Sequence, residues 1–265
     1  MQQEEYFFGV FRIIYDLNRE DIYIVPAYDS KLAEVYDVLT GAYTEEITLY
    51  EKYLALCRGS KVLELACGSG RITIPLAQKG YSVTGVDISP KMIEILESKI
   101  GKRIKNRIKL IIDDIKTLDK VTEKYDLVIL PATTIRLLEK DVLDFINHIS
   151  KYVVKGGYFI FDFRDTSQQL ENKYVSEMIA HTYEKDNVTN VVFVQEECDK
   201  SNMKSRTNWL ISSYGPRLEQ YLAYSYMNLT TYKDVEGAAR KSNFSEFQII
   251  KSQVANNVYN CILKK

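Results

Sequence analysis

The stretch VLELACGSGRITIPLA, Val62 to Ala77, decides the fold. An apolar run, a glycine-rich turn and a segment with helical spacing follow one another in it. KVLELA (61–66) reads as a buried strand, and RITIPLAQKG (71–80) as a helix stopped by a glycine. Pro75 sits inside that helix, which is tolerable only near its start.

The same alternation continues on the C-terminal side. YSVTGVDI (81–88), IKLIID (108–113), YDLVILP (125–131) and YFIFDF (158–163) read as further strands. SPKMIEILESKI (89–100) opens with Ser89 as N-cap and Pro90 at the first helical position, then places Met92, Ile93, Leu96 and Ile100 at helical spacing. DVLDFINHISKYV (141–153) is an amphipathic helix predicted to stop at the following KGG. Strands alternating with helices predict a parallel sheet covered on both faces, with ligands bound beyond the carboxyl ends of its strands.

The pattern then changes. MIAHTYEK, NVVFVQEECD, MKSRTNWLISSY and QYLAYSYMNLTTY, between 178 and 232, are four strands joined by short polar turns, hence an antiparallel sheet. YKDVEGAARKSNF (232–244) returns to a helix, and FQIIKS and NNVYNCILK supply two last strands. Ahead of the main sheet, residues 27–57 carry helical spacing broken at Thr40-Gly41, and the first 26 residues admit either helix or strand. The predicted fold is therefore α/β: a Rossmann-like, seven-stranded, mostly parallel sheet with helices on both faces, plus an inserted antiparallel β-sheet and an N-terminal helical cap. The expected organisation is 1–57 as N-terminal extension and cap, 58–177 and 232–265 as core, and 178–231 as the insertion. That insertion is expected to roof a substrate pocket or mediate dimerisation.

Composition narrows the function classes. Of 265 residues, 46% are hydrophobic and 27% charged, which suits a packed core. A net charge of −1 and a pI near 6.2 give no electrostatic footprint for nucleic acid. The basic run from Lys99 to Lys109 reads as a solvated face. YFFGVFRII (6–14) is interrupted by Arg12 and falls short of the roughly 20 apolar residues a span requires. Cys57, Cys67, Cys198 and Cys261 form no CxxC pair, and the two histidines, His148 and His181, lie away from them in sequence. Four reduced thiols in a cytoplasmic protein, and no metal, are expected.

The turn itself discriminates among glycine-loop ligands. A dinucleotide loop wants G-x-G-x-x-G, but Thr73 stands at the third glycine position, and the Gly-Lys-Ser/Thr of a triphosphate loop is absent. Glu64, within the strand and just before the turn, repels phosphate and suits a cation. S-adenosylmethionine carries a sulfonium and an ammonium and no phosphate. Gly68 and Gly70 allow the backbone to approach a nucleoside closely. Asp87, ending the second strand, is placed for a ribose diol, and Asp113 and Asp114 end the third strand beside the same crevice.

VLELACGSG, VTGVDIS, IIDDI, YDLVIL and GGYFIFDF, in this order, resemble the class I S-adenosylmethionine-dependent methyltransferases. YDSKLAEVYDVLTGAY and the late antiparallel insertion resemble the small-molecule branch, notably bacterial sugar-amine N-methyltransferases from antibiotic pathways. The resemblance implies S-adenosylmethionine as cofactor, with Glu64, Ala66, Gly68, Ser69 and Gly70 along its methionine and ribose portion. It puts Asp87 on the ribose, with Ile88 and Met92 near the adenine, and Asp114 or Asp113 on the adenine amino group, with Ile115 adjoining. Leu130, Pro131 and Thr133 would face the sulfonium, and Tyr28 and Tyr36 would close over the cofactor.

Methyl transfer from a sulfonium is an in-line displacement, so the protein mainly aligns, desolvates and supplies a deprotonated nucleophile. His181 and Tyr36 are candidate bases on position alone. Arg136 and Arg164 follow strand ends and are candidates for a substrate carboxylate or phosphate, with an ordinary surface position as the alternative. LPATT (130–134) replaces the [DNS]PP[YFW] sequence of enzymes that methylate exocyclic amines of nucleic acid bases. The expected acceptor is a small molecule or short peptide, by nitrogen first and oxygen second, with no nucleic acid or membrane partner and a possible homodimer. A regulatory protein that binds the cofactor without methyl transfer, and a nicotinamide-dependent dehydrogenase, are the competing classes.

Overall fold

The structure is a computed structural model and describes residues 3–27, 35, 45–138, 141–167, 174–253 and 257–265. The chain divides into two compact units, one of residues 1–38 and 168–229, the other of residues 39–167 and 230–265. In chain order the first unit opens with α1 (Gly9–Asp16) and β1 (Ile22–Pro26). The second runs through α2 (Glu45–Leu54), β2 (Lys61–Leu65), α3 (Thr73–Gln78), β3 (Ser82–Asp87) and α4 (Pro90–Lys99). It continues with β4 (Ile108–Ile112), β5 (Tyr125–Leu130), α5 (Val142–Ile149) and β6 (Val153–Arg164). The first unit resumes with β7 (Tyr174–Val175), β8 (Ile179–Lys185), β9 (Val188–Asp199), β10 (Lys204–Tyr214) and β11 (Leu218–Asn228). Finally α6 (Tyr232–Lys241), β12 (Glu246–Lys251) and β13 (Val258–Lys264) return to the second unit.

The second unit is built on a seven-stranded sheet in the order β12-β13-β6-β5-β2-β3-β4. Only β13 runs against its neighbours, and the other pairings are parallel. Side chains alternate between faces along each strand. Leu63, Leu65, Val128, Leu130, Phe159 and Phe161 pack on one face with Phe145 and Ile149 of α5 and Val235 of α6. Val62, Leu127, Ile129 and Ile160 pack on the other with Tyr50 and Leu54 of α2 and Leu76 of α3. Both faces are covered, which is why the central strands read as continuous apolar runs. The same alternation carries Glu64 and Asp162, each two residues beyond an apolar member of the second cluster, onto the α2–α3 face at the strand ends.

Local chemistry explains most boundaries. Ser89 accepts the N–H of Met92 and starts α4, with Pro90 at its first position. Pro75 is the third residue of α3, where its missing N–H is one of the donors a helix start leaves unpaired anyway. Thr231 and Asp234 form a capping box that starts α6. The predicted stop of the fifth-strand helix at KGG is corrected. The helix ends at Ile149, a 3-10 turn covers Ser150–Tyr152, and β6 begins at Val153. Lys155-Gly156-Gly157 lies inside the strand as a bulge, because pairing with β5 jumps from Tyr125↔Val153 to Leu127↔Tyr158 and Gly156 takes φ +80°.

The first unit contains a sheet in the order β1-β11-β10-β9-β7, with β8 also on the outer edge of β9. The four predicted inserted strands are β8 to β11, joined antiparallel. The N-terminal residues add to them: β1 pairs parallel with β11, Ile22 opposite Gln220 and Pro26 opposite Tyr224. Phe7 and Phe11 pack on Leu222, and Asn208 donates to the Tyr6 carbonyl at 2.9 Å. The segment expected as one N-terminal cap is thus divided, since residues up to 38 group with the inserted sheet while α2 packs on the core through Ile47, Tyr50 and Leu54. The inserted unit likewise begins at 168 and ends at 229 rather than spanning 178–231.

Candidate active site

The turn after β2 is shaped by three positive φ angles, +55° at Ala66, +53° at Gly68 and +91° at Gly70. Cys67 extends the ladder by donating to the Val86 carbonyl, and Gly70 closes the turn on the Cys67 carbonyl, both at 3.0 Å. The two glycines serve different ends. A Cβ on Gly70 would lie 2.1 Å from Leu96 Cδ1, whereas one on Gly68 would meet nothing within 4 Å. Gly70 is required by packing, and Gly68 fronts open space. Lys99 at the end of α4 donates to the Ser69 carbonyl at 3.1 Å.

Asp87 ties this turn to the end of β3. Its Oδ2 accepts the Gly68 N–H at 2.8 Å and its Oδ1 the Ser89 N–H at 2.9 Å. Burial raises the acid's pKa, and those two N–H groups oppose the rise. Glu64 is 1% exposed and accepts a hydrogen bond from the Thr73 hydroxyl. Burial pushes its carboxyl up to about 8, against the Thr73 bond and the Arg71 charge. Arg71, the one cation near the loop in sequence, pairs with Glu46 of α2 at 2.5 Å. A phosphate-holding role for it is therefore not what the geometry favours.

Beyond β5 the chain turns through Ala132 and Thr133, both left-handed at φ +63° and +53°. Thr133 donates its N–H to Asp162 Oδ2 at 2.9 Å, and the Thr134 hydroxyl donates to the Pro131 carbonyl at 2.6 Å. Burial pushes Asp162 up to about 7, with the Glu46 charge adding to it. Asp162 Oδ1 and the Tyr50 hydroxyl are both buried without a hydrogen-bond partner among the described residues. Burial raises Tyr50 well above the usual phenol range, and Glu46, Asp162 and Glu64 raise it further. Sequence reasoning missed Glu46, Tyr50, Thr73 and Asp162. Asp162 had a signal, as the one charged residue in the apolar run YFIFDF.

The remaining candidates separate. Leu130 is buried in the core, Met92 is also buried, and Ile115 packs partly buried against the core. Ile88, next to Asp87, is 66% exposed. Asp113 closes the 113–120 loop, accepting the N–H groups of Asp114 at 3.0 Å and Lys120 at 2.8 Å. Asp114 accepts the Lys116 N–H at 2.9 Å and lies 3.5 Å from the Lys116 ammonium. Arg136 is buried, which removes the surface alternative, and Arg164 is half-buried at the end of β6. His181 is exposed in β8 of the first unit. Tyr28 and Tyr36 lie outside the described residues. Among the described residues no cluster of His, Cys, Asp and Glu could hold a metal, and no helix is long and apolar enough to cross a membrane.

Residues 62–157 match the family profile described as "Methyltransferase domain". The putative methyltransferase YqeM of Bacillus subtilis is 27% identical over 133 residues, 49% of this chain and 53% of that protein. The chain spans about half the length, or less, of the curated relatives it matches. An S-adenosylmethionine-dependent methyltransferase from Clostridium acetobutylicum superposes with a TM-score of 0.67 at 20% identity, covering 88% of this chain and 97% of that one. The sugar N-methyltransferase KedS8 from Streptoalloteichus superposes at 0.71 and 16% identity, covering 91% and 97%. Residues 62–157 therefore carry a methyltransferase domain, and the fold is that of S-adenosylmethionine-dependent methyltransferases.

Proposed function

We propose that the protein binds S-adenosylmethionine at the carboxyl ends of β2, β3 and β5 and transfers its methyl group to a nitrogen, or secondarily an oxygen, of a small molecule or short peptide. The observation that carries this reading is Glu64, a carboxylate buried beside the glycine turn while the neighbouring Arg71 is engaged by Glu46. A cation can draw that buried acid into its charged form and a pyrophosphate cannot, so the turn favours a cation over a pyrophosphate.

The residues fit the group. The open space at Gly68 admits close approach of a nucleoside. The Asp87 carboxylate receives backbone N–H groups of Gly68, Ser89 and Ile88 and has about four lone-pair sites, so acceptor capacity remains for a ribose hydroxyl. The exposed Ile88 offers an apolar surface beside them for a purine. Asp114 keeps acceptor capacity for an amino group, whereas both Asp113 oxygens serve the loop. Ala66 and Ser69 on the turn after β2, and Pro131 and Thr133 on the turn after β5, complete the residues assigned to the cofactor.

When bound, the cofactor supplies a methyl group already activated by a positive sulfur. What the chain adds is alignment, exclusion of water and a local field that tolerates positive charge. An amine acceptor can shed its proton before attack, so the reaction with nitrogen does not oblige the protein to supply a strong base. His181 and Tyr36 remain the residues to test as proton acceptors, and Arg136 and Arg164 as holders of an anionic acceptor group.

Calorimetric titration with S-adenosylmethionine and with NAD tests the cofactor. Binding of the dinucleotide in preference overturns the reading. Incubation with S-adenosylmethionine and candidate amines, amino sugars first because KedS8 shares the fold, should yield S-adenosylhomocysteine. Tight binding without product from any amine or hydroxyl acceptor would point instead to a regulatory role.

A further inference from the structure

Five polar groups meet on the α2–α3 face of the main sheet. Glu46 and Tyr50 come from α2, Glu64 from β2, Arg71 from the segment after the glycine turn, and Asp162 from β6. Glu46 and Arg71 act electrostatically on Asp162, while Glu46, Asp162, Glu64 and Arg71 all act on Tyr50. Asp87 of β3 acts on Glu64 from the neighbouring strand. The partner-forming contacts account for only part of this set: Arg71 pairs with Glu46, Thr73 donates to Glu64, and the Thr133 N–H donates to Asp162 Oδ2. Among the described residues, Asp162 Oδ1 and the Tyr50 hydroxyl are left buried and unpartnered.

The charge count is as unbalanced as the hydrogen bonding. Of the three carboxyls, Glu46 has Arg71 as its counter-ion. If Glu64 and Asp162 both ionise, two buried negative charges lack a cation within the set. A buried unpaired charge is costly, so such groups either hold a proton or await a partner. Burial accordingly pushes Glu64 up to about 8 and Asp162 up to about 7, so each holds its proton to higher pH than an ordinary carboxyl. An acceptor and a hydroxyl without partners among the described residues, beside two acids raised by burial, suit a site that receives a cation.

We propose that Glu64, Asp162 and Tyr50 form a counter-charge floor for a cationic group of the bound cofactor, and that arrival of the cation expels protons from this floor to solvent. The inference rests on the cofactor reading above. The only bond broken is a carboxyl O–H, whose proton passes to buffer. Two groups on S-adenosylmethionine could act, the sulfonium and the α-ammonium; S-adenosylhomocysteine keeps only the ammonium, and 5′-methylthioadenosine has neither. Asp162 is a positioning residue, since it accepts the Thr133 N–H that fixes the turn after β5.

The test is calorimetric titration of the intact protein at about pH 7.5 in buffers of different ionisation enthalpy, which reports protons released per ligand bound. Release with S-adenosylmethionine and S-adenosylhomocysteine but not 5′-methylthioadenosine supports the proposal and assigns the ammonium. Release with S-adenosylmethionine alone supports it and assigns the sulfonium. Equal release with all three, or binding of S-adenosylmethionine with no release, overturns it while leaving the cofactor reading intact. Failure of all three to bind overturns the cofactor reading, and this one with it. Affinity for S-adenosylmethionine should rise about tenfold between pH 6 and 8 for each unit by which the cation lowers an acid's pKa, with no such rise for 5′-methylthioadenosine. Asp162→Asn keeps an acceptor for Thr133 and should reduce the release; the wild-type comparison of ligands stands even where that variant folds poorly.

Discussion

Thr133, held left-handed at φ +53°, donates its backbone N–H to the buried carboxylate of Asp162 at 2.9 Å. The turn after β5 is thereby fixed by a side chain from the adjacent strand. A non-glycine residue with positive φ is costly and persists where surroundings enforce it. Asp162→Ala should leave that N–H unpaired and destabilise the protein by about 1–3 kcal/mol, while Asp162→Asn should cost less. Urea unfolding of the two variants checks this, and equal losses would deny the bond its role in holding the turn.

The ligand-free protein should be less stable at pH 8.5 than at pH 5. Glu64 and Asp162 are raised in the fold to about 8 and about 7, from ordinary carboxylate values near 4. A raised folded pKa means the unfolded chain loses its proton first as pH climbs. Stability from these groups is therefore full below about pH 4 and lost as pH rises through about 7 to 8. Thermal melts across that window should fall, and Glu64→Gln with Asp162→Asn together should flatten the slope. A flat wild-type profile would contradict the burial of ionisable protons.

Gly68→Ala and Gly70→Ala should separate binding from folding. Alanine at Gly70 meets Leu96 at 2.1 Å and a φ of +91°, so unfolding measurements should show a loss of about 1–3 kcal/mol. At Gly68 the added methyl touches nothing, and only the left-handed strain of roughly 1 kcal/mol remains. That methyl would occupy the open space, so the titrated affinity for S-adenosylmethionine should fall at least about tenfold, a loss of about 1.4 kcal/mol. If both variants lose stability alike and Gly68→Ala binds normally, the open space is not the nucleoside's.

Much of this arrangement was legible in the chain because periodicity reports burial. The apolar strands, the Ser89 cap and the order of sheet elements follow from local pattern, and so does Glu64 as an acid out of place in a buried strand. Asp162 was equally out of place, yet only strand order shows that it shares a face with Glu64 across β5. Tyr50 on a helical stripe is indistinguishable from core until its hydroxyl is seen to lack a hydrogen-bond partner among the described residues. Gly156-Gly157 looked like a helix stop because a bulge needs the same residue type. The first 26 residues were ambiguous since β1 is a strand by virtue of β11, some 200 positions away in sequence.

Asp87 should prove indispensable to nucleoside binding at modest structural cost. It accepts the Gly68 and Ser89 N–H groups and so sets the distance between the glycine turn and the end of β3. Asp87→Asn retains one acceptor oxygen and loses the charge. Titration should show affinity for S-adenosylmethionine and 5′-methylthioadenosine falling together, since both carry the ribose. A loss confined to S-adenosylmethionine would move Asp87 from the ribose to the amino-acid arm.

Arg71 and Glu46 form an ion pair with only 10% and 13% of their side chains exposed, and it joins α2 to the segment after the glycine turn. Removing one partner of a buried pair strands the other charge, which costs up to about 3–5 kcal/mol, whereas removing both costs less. Arg71→Met alone should therefore destabilise more than Arg71→Met with Glu46→Leu. Arg71 also lowers the pKa values of Glu64 and Asp162, so its loss should push both higher. In that background the pH at which stability declines should move upward, and so should the pH at which S-adenosylmethionine binding strengthens. A double-mutant cycle read by unfolding, combined with binding titrations across pH, measures both effects; additive single losses with an unmoved pH profile would remove Arg71 from the electrostatics of the site.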